Sequence, residues 1–571
     1  MNIHSMSKSL KKTLLFIFVP IIVLGFISYF YFSFLEKKGK NGREYGGTVT
    51  YYTSEKQTCF FPLSANSVAE QRVLSQIYES LLRIDENNNL VGNLAKEFKI
   101  SADYKTIELK IRDDVYFHSD PCFGSRAQKM TIEDVKFSLE FACSSSPLNK
   151  LSHLLTNKIE GGTNFFQLSA AGFTKSGVSG IQIIDQQTLK IKLTDTYLGF
   201  LNLLSHPNLA IFSKKSFEYY GDEIVNHAVG TGAFCLGVRN VSSLSLVKNE
   251  NYWKKDCFGN QLPFLDEIRV VYAKQASDEY NAFSKNKADI LFQLPLDHLN
   301  DAFGSLSAAQ KGENSLHKII YKKGSKIHYL AFDCTTFPFN NENVRRAFNL
   351  AIDKKQICDE VLNGDGRAAI YGFVPNSNYY SQEINAGVEF NLNLAKSLLL
   401  KAGFDKRKPF PKLFLYVSSL KGSSTDKWCS ALIAQLKTNL DVDLEIVYCT
   451  LKEKNKKIND KTAKIWKTGW EADYPDADSF LELFYSKNNY SKFVDKEYDS
   501  VFLKSQTQIN KEDKKRMQQE ADKILIDRAA VIPIYSEDNF IILNLKVRDF
   551  NINNSGLIDF SKIYLKEIPE N

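Results

Sequence analysis

No Cys-x-x-Cys pair, His-Glu-x-x-His, Gly-x-Ser-x-Gly or Gly-x-x-x-x-Gly-Lys-Ser/Thr occurs in the 571 residues. The common signatures of zinc hydrolases, serine hydrolases and phosphate-cradling loops are therefore absent. The eight histidines are isolated and the nine cysteines (59, 122, 143, 235, 257, 334, 358, 429, 449) are scattered, so no metal-ligand spacing emerges and no cofactor is implied. An odd number of cysteines leaves at least one unpaired. Surplus charge is also scarce. The net charge is +7, but residues 1–45 carry seven Lys/Arg against two Glu, which leaves about +2 for the rest. That is no footprint for nucleic acid. No fixed-period repeat and no low-complexity tract is present.

What the chain does have is ordinary globular composition, 43% apolar and 24% charged, at a length that calls for two or three lobes. Residues 14–35 contain no charged side chain. As a helix they would span roughly 33 Å, enough for a bilayer core. Lys8, Lys11 and Lys12 precede them, no Ala-x-Ala site follows, and the first cysteine is Cys59. An uncleaved signal anchor is expected, with a cleaved export signal as the alternative. Lys37, Lys38, Lys40 and Arg43 after the span blunt any orientation rule.

Further on, strand and helix patterns interleave, which predicts a mixed α/β protein. Thr48-Val-Thr-Tyr-Tyr-Thr opens a sheet. Residues 69–82 carry Val73, Leu74, Ile77, Leu81 and Leu82 at helical spacing. Ile107, Leu109 and Ile111 alternate with Glu108, Lys110 and Arg112, a half-buried strand. Thr131-Ile-Glu-Asp reads as a capping box, and residues 181–193 as a hairpin turning at Asp185. Gly230-Thr-Gly-Ala-Phe does not have phosphate-loop spacing and predicts a structural bend. Asn340 or Asn341 starts a helix whose Arg345 and Arg346 are expected to be ion-pair residues rather than ligand grips. Residues 452–464 read as a solvated charged segment, and Val531-Ile-Pro-Ile-Tyr as a short edge-like strand.

One stretch concentrates chemistry: Ile465-Trp-Lys-Thr-Gly-Trp-Glu-Ala-Asp-Tyr-Pro-Asp. Two tryptophans and a tyrosine beside three carboxylates suit an ammonium ligand, because stacking desolvates the site and a carboxylate pairs with the charge. The competing reading is a solvated turn with a core tryptophan.

The order of motifs resembles the oligopeptide- and dipeptide-binding proteins of ABC importers, solute-binding family 5. The carriers run from Gln76-Ile-Tyr-Glu-Ser-Leu-Leu and Asn93-Leu-Ala-Lys-Glu-Phe, through Met130-Thr-Ile-Glu-Asp-Val-Lys-Phe, Gly230-Thr-Gly-Ala-Phe and Asn249-Glu-Asn-Tyr-Trp. They continue with Pro338-Phe-Asn-Asn-Glu-Asn-Val-Arg-Arg-Ala-Phe, and close on Gly469-Trp-Glu-Ala-Asp-Tyr-Pro-Asp and Val531-Ile-Pro-Ile-Tyr. The resemblance implies an α/β, two-lobed periplasmic-binding-protein fold (type II, with an extra subdomain) with mixed sheets and a ligand cleft between the lobes, here behind an N-terminal transmembrane helix. It places lobe I in 46–84, 187–326 and 533–571, a subdomain in 85–186 and lobe II in 327–532, after an anchor and linker in 1–45. It implies that Asp473 meets a peptide's amino terminus, that Gly469 and Glu471 offer main-chain groups, and that Trp470 walls a pocket. Lys467 falls where some relatives place an arginine for the peptide carboxylate. The implied protein is no enzyme and has no metal site. It is a monomer at the periplasmic face of the inner membrane that hands short peptides to an ABC permease. The alternatives are another cargo (a cell-wall peptide, a metal chelate, a sugar) and an anchored peptidase using Asp473 and Asp476.

Overall fold

The structure, a computed structural model, describes residues 38–567 apart from 66, 88, 125–126, 171–176, 293–316, 363, 365, 378–379, 382–388, 406, 420, 473, 475, 487–491 and 554–555. The apolar stretch 14–35 lies outside the described residues. Among the described residues, no helix is long and apolar enough to cross a membrane.

In chain order the strands are β1 (Thr48–Thr53), β2 (Leu82–Ile84), β3 (Leu90–Gly92), β4 (Ala95–Ile100), β5 (Thr106–Ile111), β6 (Ile181–Ile183), β7 (Thr188–Lys192), β8 (Phe234–Arg239), β9 (Ser243–Lys248) and β10 (Glu267–Tyr272). They continue with β11 (Ile290–Leu291), β12 (Lys318–Phe332), β13 (Arg367–Ala368), β14 (Leu413–Val417), β15 (Leu444–Tyr448), β16 (Ile465–Glu471), β17 (Val531–Leu543), β18 (Val547–Arg548) and β19 (Tyr564–Leu565). One mixed sheet runs β15-β14-β16-β12-β17-β11-β1-β10-β9-β8. Helices cover it, so this is the mixed α/β protein that the interleaved pattern predicts.

The apolar side chains segregate into separate cores. One collects residues 49–292 and 541–564, and we call the body around it lobe I. Two more lie on opposite faces of the sheet between residues 327 and 535 and define lobe II. Along β12, Leu330 and Phe332 enter one of these cores while Ile327, Tyr329 and Ala331 enter the other, the two-residue period of a strand. β12 and β17 belong to both lobes. Their lobe I ends pair at Lys318↔Leu543 and their lobe II ends at Ala331↔Val531, with a break in register between Lys322 and Lys326.

Two strands outgrow their sequence signals. The continuous apolar run in β12 begins at Ile327, beyond the polar stretch 322–326, but pairing with β17 carries the strand back to Lys318. β17 is central rather than edge-like, lying between β12 and β11. Pro533, which has no N–H to give, is tolerated there because it falls at the second register shift, opposite Tyr329. A four-stranded sheet, β4-β5-β7-β6, stands apart from the large one. β7 pairs with both β5 and β6, so residues 188–192 belong to this small sheet.

Local signals otherwise hold. Thr131 and Asp134 close a reciprocal capping box, and Asn341 caps the helix Glu342–Ala351. The first helix, Val68–Ile77, stops before Leu81 and Leu82. Just beyond its end the chain from 230 to 232 crosses so closely that a Cβ on Gly230 would lie 1.9 Å from the Ile77 carbonyl oxygen. That close approach explains the glycine bend without any phosphate. All nine cysteines are free.

Candidate functional site

β16 pairs with β12 from Phe332↔Ile465 to Lys326↔Glu471, which brings the aromatic–acid stretch to the lobe I edge of lobe II. Trp466 and Trp470 point to one face, where the Trp470 indole N–H donates to the Ser479 carbonyl at 2.8 Å. Lys467 and Gly469 point to the other. Gly469 sits opposite His328, and a Cβ there would lie 3.4 Å from His328 Nδ1. Asp473 lies outside the described residues, as does Pro475. The chain is described again at Tyr474 and Asp476.

Glu471 and Ala472 line a cavity of about 180 Å³. Lobe I supplies the opposite wall: Ser67 and Arg72 from the first helix, His206 and Asn208, and the 556–558 turn. The Arg72 guanidinium lies 3.6 Å from the centre of the Phe292 ring. Asn208 is buried, and its Oδ1 has no hydrogen-bond partner among the described residues. A buried acceptor without a donor is unfavourable, and Asn208 carries that cost in the lobe I wall. These lobe I residues carry no sequence signal of their own. They meet Glu471 only because three separate stretches of lobe I fold against the end of β16.

On the Lys467 face, charge is unevenly matched. Glu537 accepts from Lys326 at 3.0 Å and from His328 Nε2 at 2.8 Å. Burial works against the Glu537 charge, but the His328 hydrogen bond and the Lys326 ammonium hold its pKa well below the usual carboxylate value. Burial lowers the His328 pKa to about 4, so the ring is neutral and donates Nε2–H to the carboxylate. Its Nδ1 has no partner among the described residues, and neither does the Trp428 indole N–H. Lys467 lies 5.9 Å from the centre of the Trp428 ring, and burial brings its pKa down to about 8. Residues 451–459 form a helix that is exposed, as the charge run predicts, except at Lys454 and partly at Ile458. Lys454 on that helix is only 4% exposed and donates to the Lys467 carbonyl at 3.0 Å. Glu537 thus pairs with Lys326 and His328, while Lys467 forms no salt bridge among the described residues.

Beyond β16 the chain is tied down on the lobe II side. Lys514 bridges Asp476 at 2.7 Å and Asp478 at 2.9 Å, and Gln518 donates to both carboxylates. Burial and the neighbouring Asp476 raise the Asp478 pKa to about 6, against the pull of Lys514. Asp476, one of the two acids of the peptidase reading, is thus held in a salt bridge with Lys514, and the other, Asp473, lies outside the described residues. Arg345 is buried and donates to the carbonyls of Phe339, Arg528 and Ala529, so it braces lobe II, while Arg346 pairs with Glu342 at 3.8 Å. Among the described residues, no group of three His, Cys, Asp or Glu side chains is placed to hold a metal ion.

Two lobes sharing a pair of crossing strands, with a cavity closed by side chains from both, define a binding protein of the periplasmic type. Solved structures agree on the fold. That of the Escherichia coli murein tripeptide binding protein MppA aligns with a TM-score of 0.77 at 21% identity, covering 91% of this chain and 99% of that one. The Haemophilus influenzae OppA complex with RPPGFSPFR aligns at 0.75 and 19% identity, covering 92% and 100%. The family model of bacterial extracellular solute-binding proteins, family 5, matches residues 89–492, and the chain belongs to that family. The oligopeptide-binding protein OppA of Bacillus subtilis is 24% identical over 552 residues, 92% of this chain and 95% of that one.

Proposed function

We propose that this protein is the substrate-binding component of an ABC importer and captures short peptides in the cavity between its lobes. It is a receptor, not an enzyme, held at the extracytoplasmic face by residues 14–35, and it delivers its cargo to a permease in the membrane. The observation that carries the reading is the cavity itself. It is bounded by both lobes, and its lobe II wall, Glu471 and Ala472, leads directly to Asp473. Relatives named for binding oligopeptides and a murein tripeptide set the class of cargo.

In this reading Asp473 pairs with the peptide's ammonium group, Gly469 and Glu471 lend backbone groups as an added strand would, and Trp470 borders a side-chain pocket. Lys467 faces the cargo's carboxylate. Its support is that Lys467, buried enough to bring its pKa down to about 8, forms no salt bridge among the described residues. A lysine offers a point charge rather than a planar fork, so it would accept carboxylates at varied angles. The division into lobe I (46–84, 193–326, 533–571), subdomain (85–192) and lobe II (327–532) is part of the same proposal.

The test is a calorimetric titration of ligand-stripped protein with a mixture of short peptides, beside the same mixture N-acetylated. Free-amine peptides should bind and acetylated ones should not. Asp473→Ala should weaken free-amine binding by about 2–5 kcal/mol, the range for truncating one partner of a buried charge pair. Equal binding of both mixtures would remove Asp473 from the role, and binding of neither would remove the peptide cargo.

A further inference from the structure

The segment after β16 does more than border the cavity. Tyr474 is a lobe II residue by sequence, yet its side chain is 1% exposed and belongs to the hydrophobic core of lobe I. Its hydroxyl lies 2.9 Å from the hydroxyl of Tyr197. Eight residues on, Glu482 accepts from Lys158 at 2.9 Å, and the same ammonium stands 5.2 Å from the centre of the Tyr197 ring. Close by, the Leu198 N–H donates to the Gln506 carbonyl at 3.4 Å. Lys158 lies on the subdomain and Tyr197 just after β7. Both reach across to lobe II, at Glu482 and Tyr474.

Each of these groups is enclosed. Lys158 is 9% exposed and Tyr197 4%. If the lobes moved apart, Tyr474 would leave an apolar core, two hydroxyls would separate, and a nearly buried ion pair would open. A buried tyrosine with a satisfied hydroxyl and a desolvated ion pair both favour the arrangement that makes them. None of these interactions involves a ligand.

We infer that Lys158 and Tyr197 are positioning residues that hold the segment from Glu471 to Glu482 against lobe I, and that with Tyr474 and Glu482 they form a latch that populates the closed arrangement before any cargo binds. The inference rests on the proposed cleft, because it is that cleft's loop which the latch holds. Its consequence is a shifted equilibrium: cargo adds to a bias already present instead of supplying the whole of it.

The experiment uses the full chain in detergent, stripped of carried-over ligand by unfolding and refolding, with no peptide added. Nine free cysteines rule out thiol labels. Dyes are therefore placed on non-natural side chains at Val241 in lobe I and Leu400 in lobe II, 84% and 59% exposed. Single-molecule energy transfer then reads the ratio of closed to open molecules. Lys158→Met and Tyr197→Phe should each move that ratio about tenfold toward open, the scale set by one buried hydrogen bond. Lys158→Arg should retain most of the closed population, a rescue that a purely structural role of the side chain's bulk would not predict. Circular-dichroism melts verify that each variant is folded. Ratios in both variants indistinguishable from the parent would overturn the latch, as would a parent that is wholly open without ligand. Because no peptide is present, failure of the latch and failure of the peptide reading give separate signals.

Discussion

His328 shows how strongly a single side chain can be tuned by its surroundings. It is stacked on Tyr535 with ring centres 4.5 Å apart and donates to a charged glutamate, yet burial keeps it neutral down to about pH 4. A histidine whose folded pKa is depressed binds fewer protons folded than unfolded. Its contribution to stability is full above the unfolded value, about 6.5, and is lost as the pH falls through the folded value. His328→Gln removes that titration. Between pH 6.5 and 4 the parent should lose about 3 kcal/mol that the variant does not, at about 1.4 kcal/mol per pKa unit, read from urea unfolding at each pH. Parallel pH profiles would mean that His328 is already charged in the folded protein. Neither this ring nor Glu537 can be singled out in the sequence, because they are 209 residues apart and meet only where β12 and β17 cross.

At the scale of elements, the helix Lys511–Asp527 acts as the splint of the loop after β16, through Lys514 and Gln518. Lys514→Met leaves Asp476 and Asp478 facing each other with no cation. At pH 7.5 this should destabilise the protein by about 3–5 kcal/mol, the usual result of removing one partner from a buried pair. Asp478 already has a raised pKa, and a carboxyl shifted that way contributes stability that is full below its unfolded value and lost as pH rises through its folded value. The variant should therefore recover part of its loss at pH 5, and melting curves at the two pH values check it. Elements whose signal is local are legible in the sequence: the strict alternation of β5, the capping box at Thr131, the asparagine cap at Asn341 and the left-handed Gly403 that ends the helix Leu392–Lys401. Elements fixed by distant partners are not. The polar stretch 322–326 of β12 looks like a loop until the strand's pairing with β17 is seen, and Lys454 looks solvated until the β16 carbonyl above it is seen. The candidate site follows the same rule. Its lobe II strand could be read from Gly469, Trp470 and Glu471, whereas the facing Arg72, Asn208 and Tyr197 depend on the fold.

At the scale of the whole molecule, three large cores and a small one around Phe283 hang on one continuous sheet, and among the described residues β12, β17 and the region around Tyr474 tie lobe I to lobe II. The sheet's register breaks between Lys322 and Lys326, on the lobe I side of the Lys326–Glu537 bridge. A break in pairing is where two long strands can flex without opening either core, so the lobes can pivot there while each stays folded. Bodies that share so little interface should also unfold with some independence. Calorimetry of ligand-free protein should show two overlapping transitions. A free-amine peptide that touches both lobes stabilises only the arrangement in which both are folded. At about one hundred times its Kd it should add roughly 2.7 kcal/mol and draw the two transitions into one. An N-acetylated peptide that Asp473 cannot hold should leave both transitions where they were. If instead the free-amine peptide raised only one transition, it would be bound by a single lobe, and the cavity that Glu471 shares with Arg72 and Asn208 would not be where cargo sits.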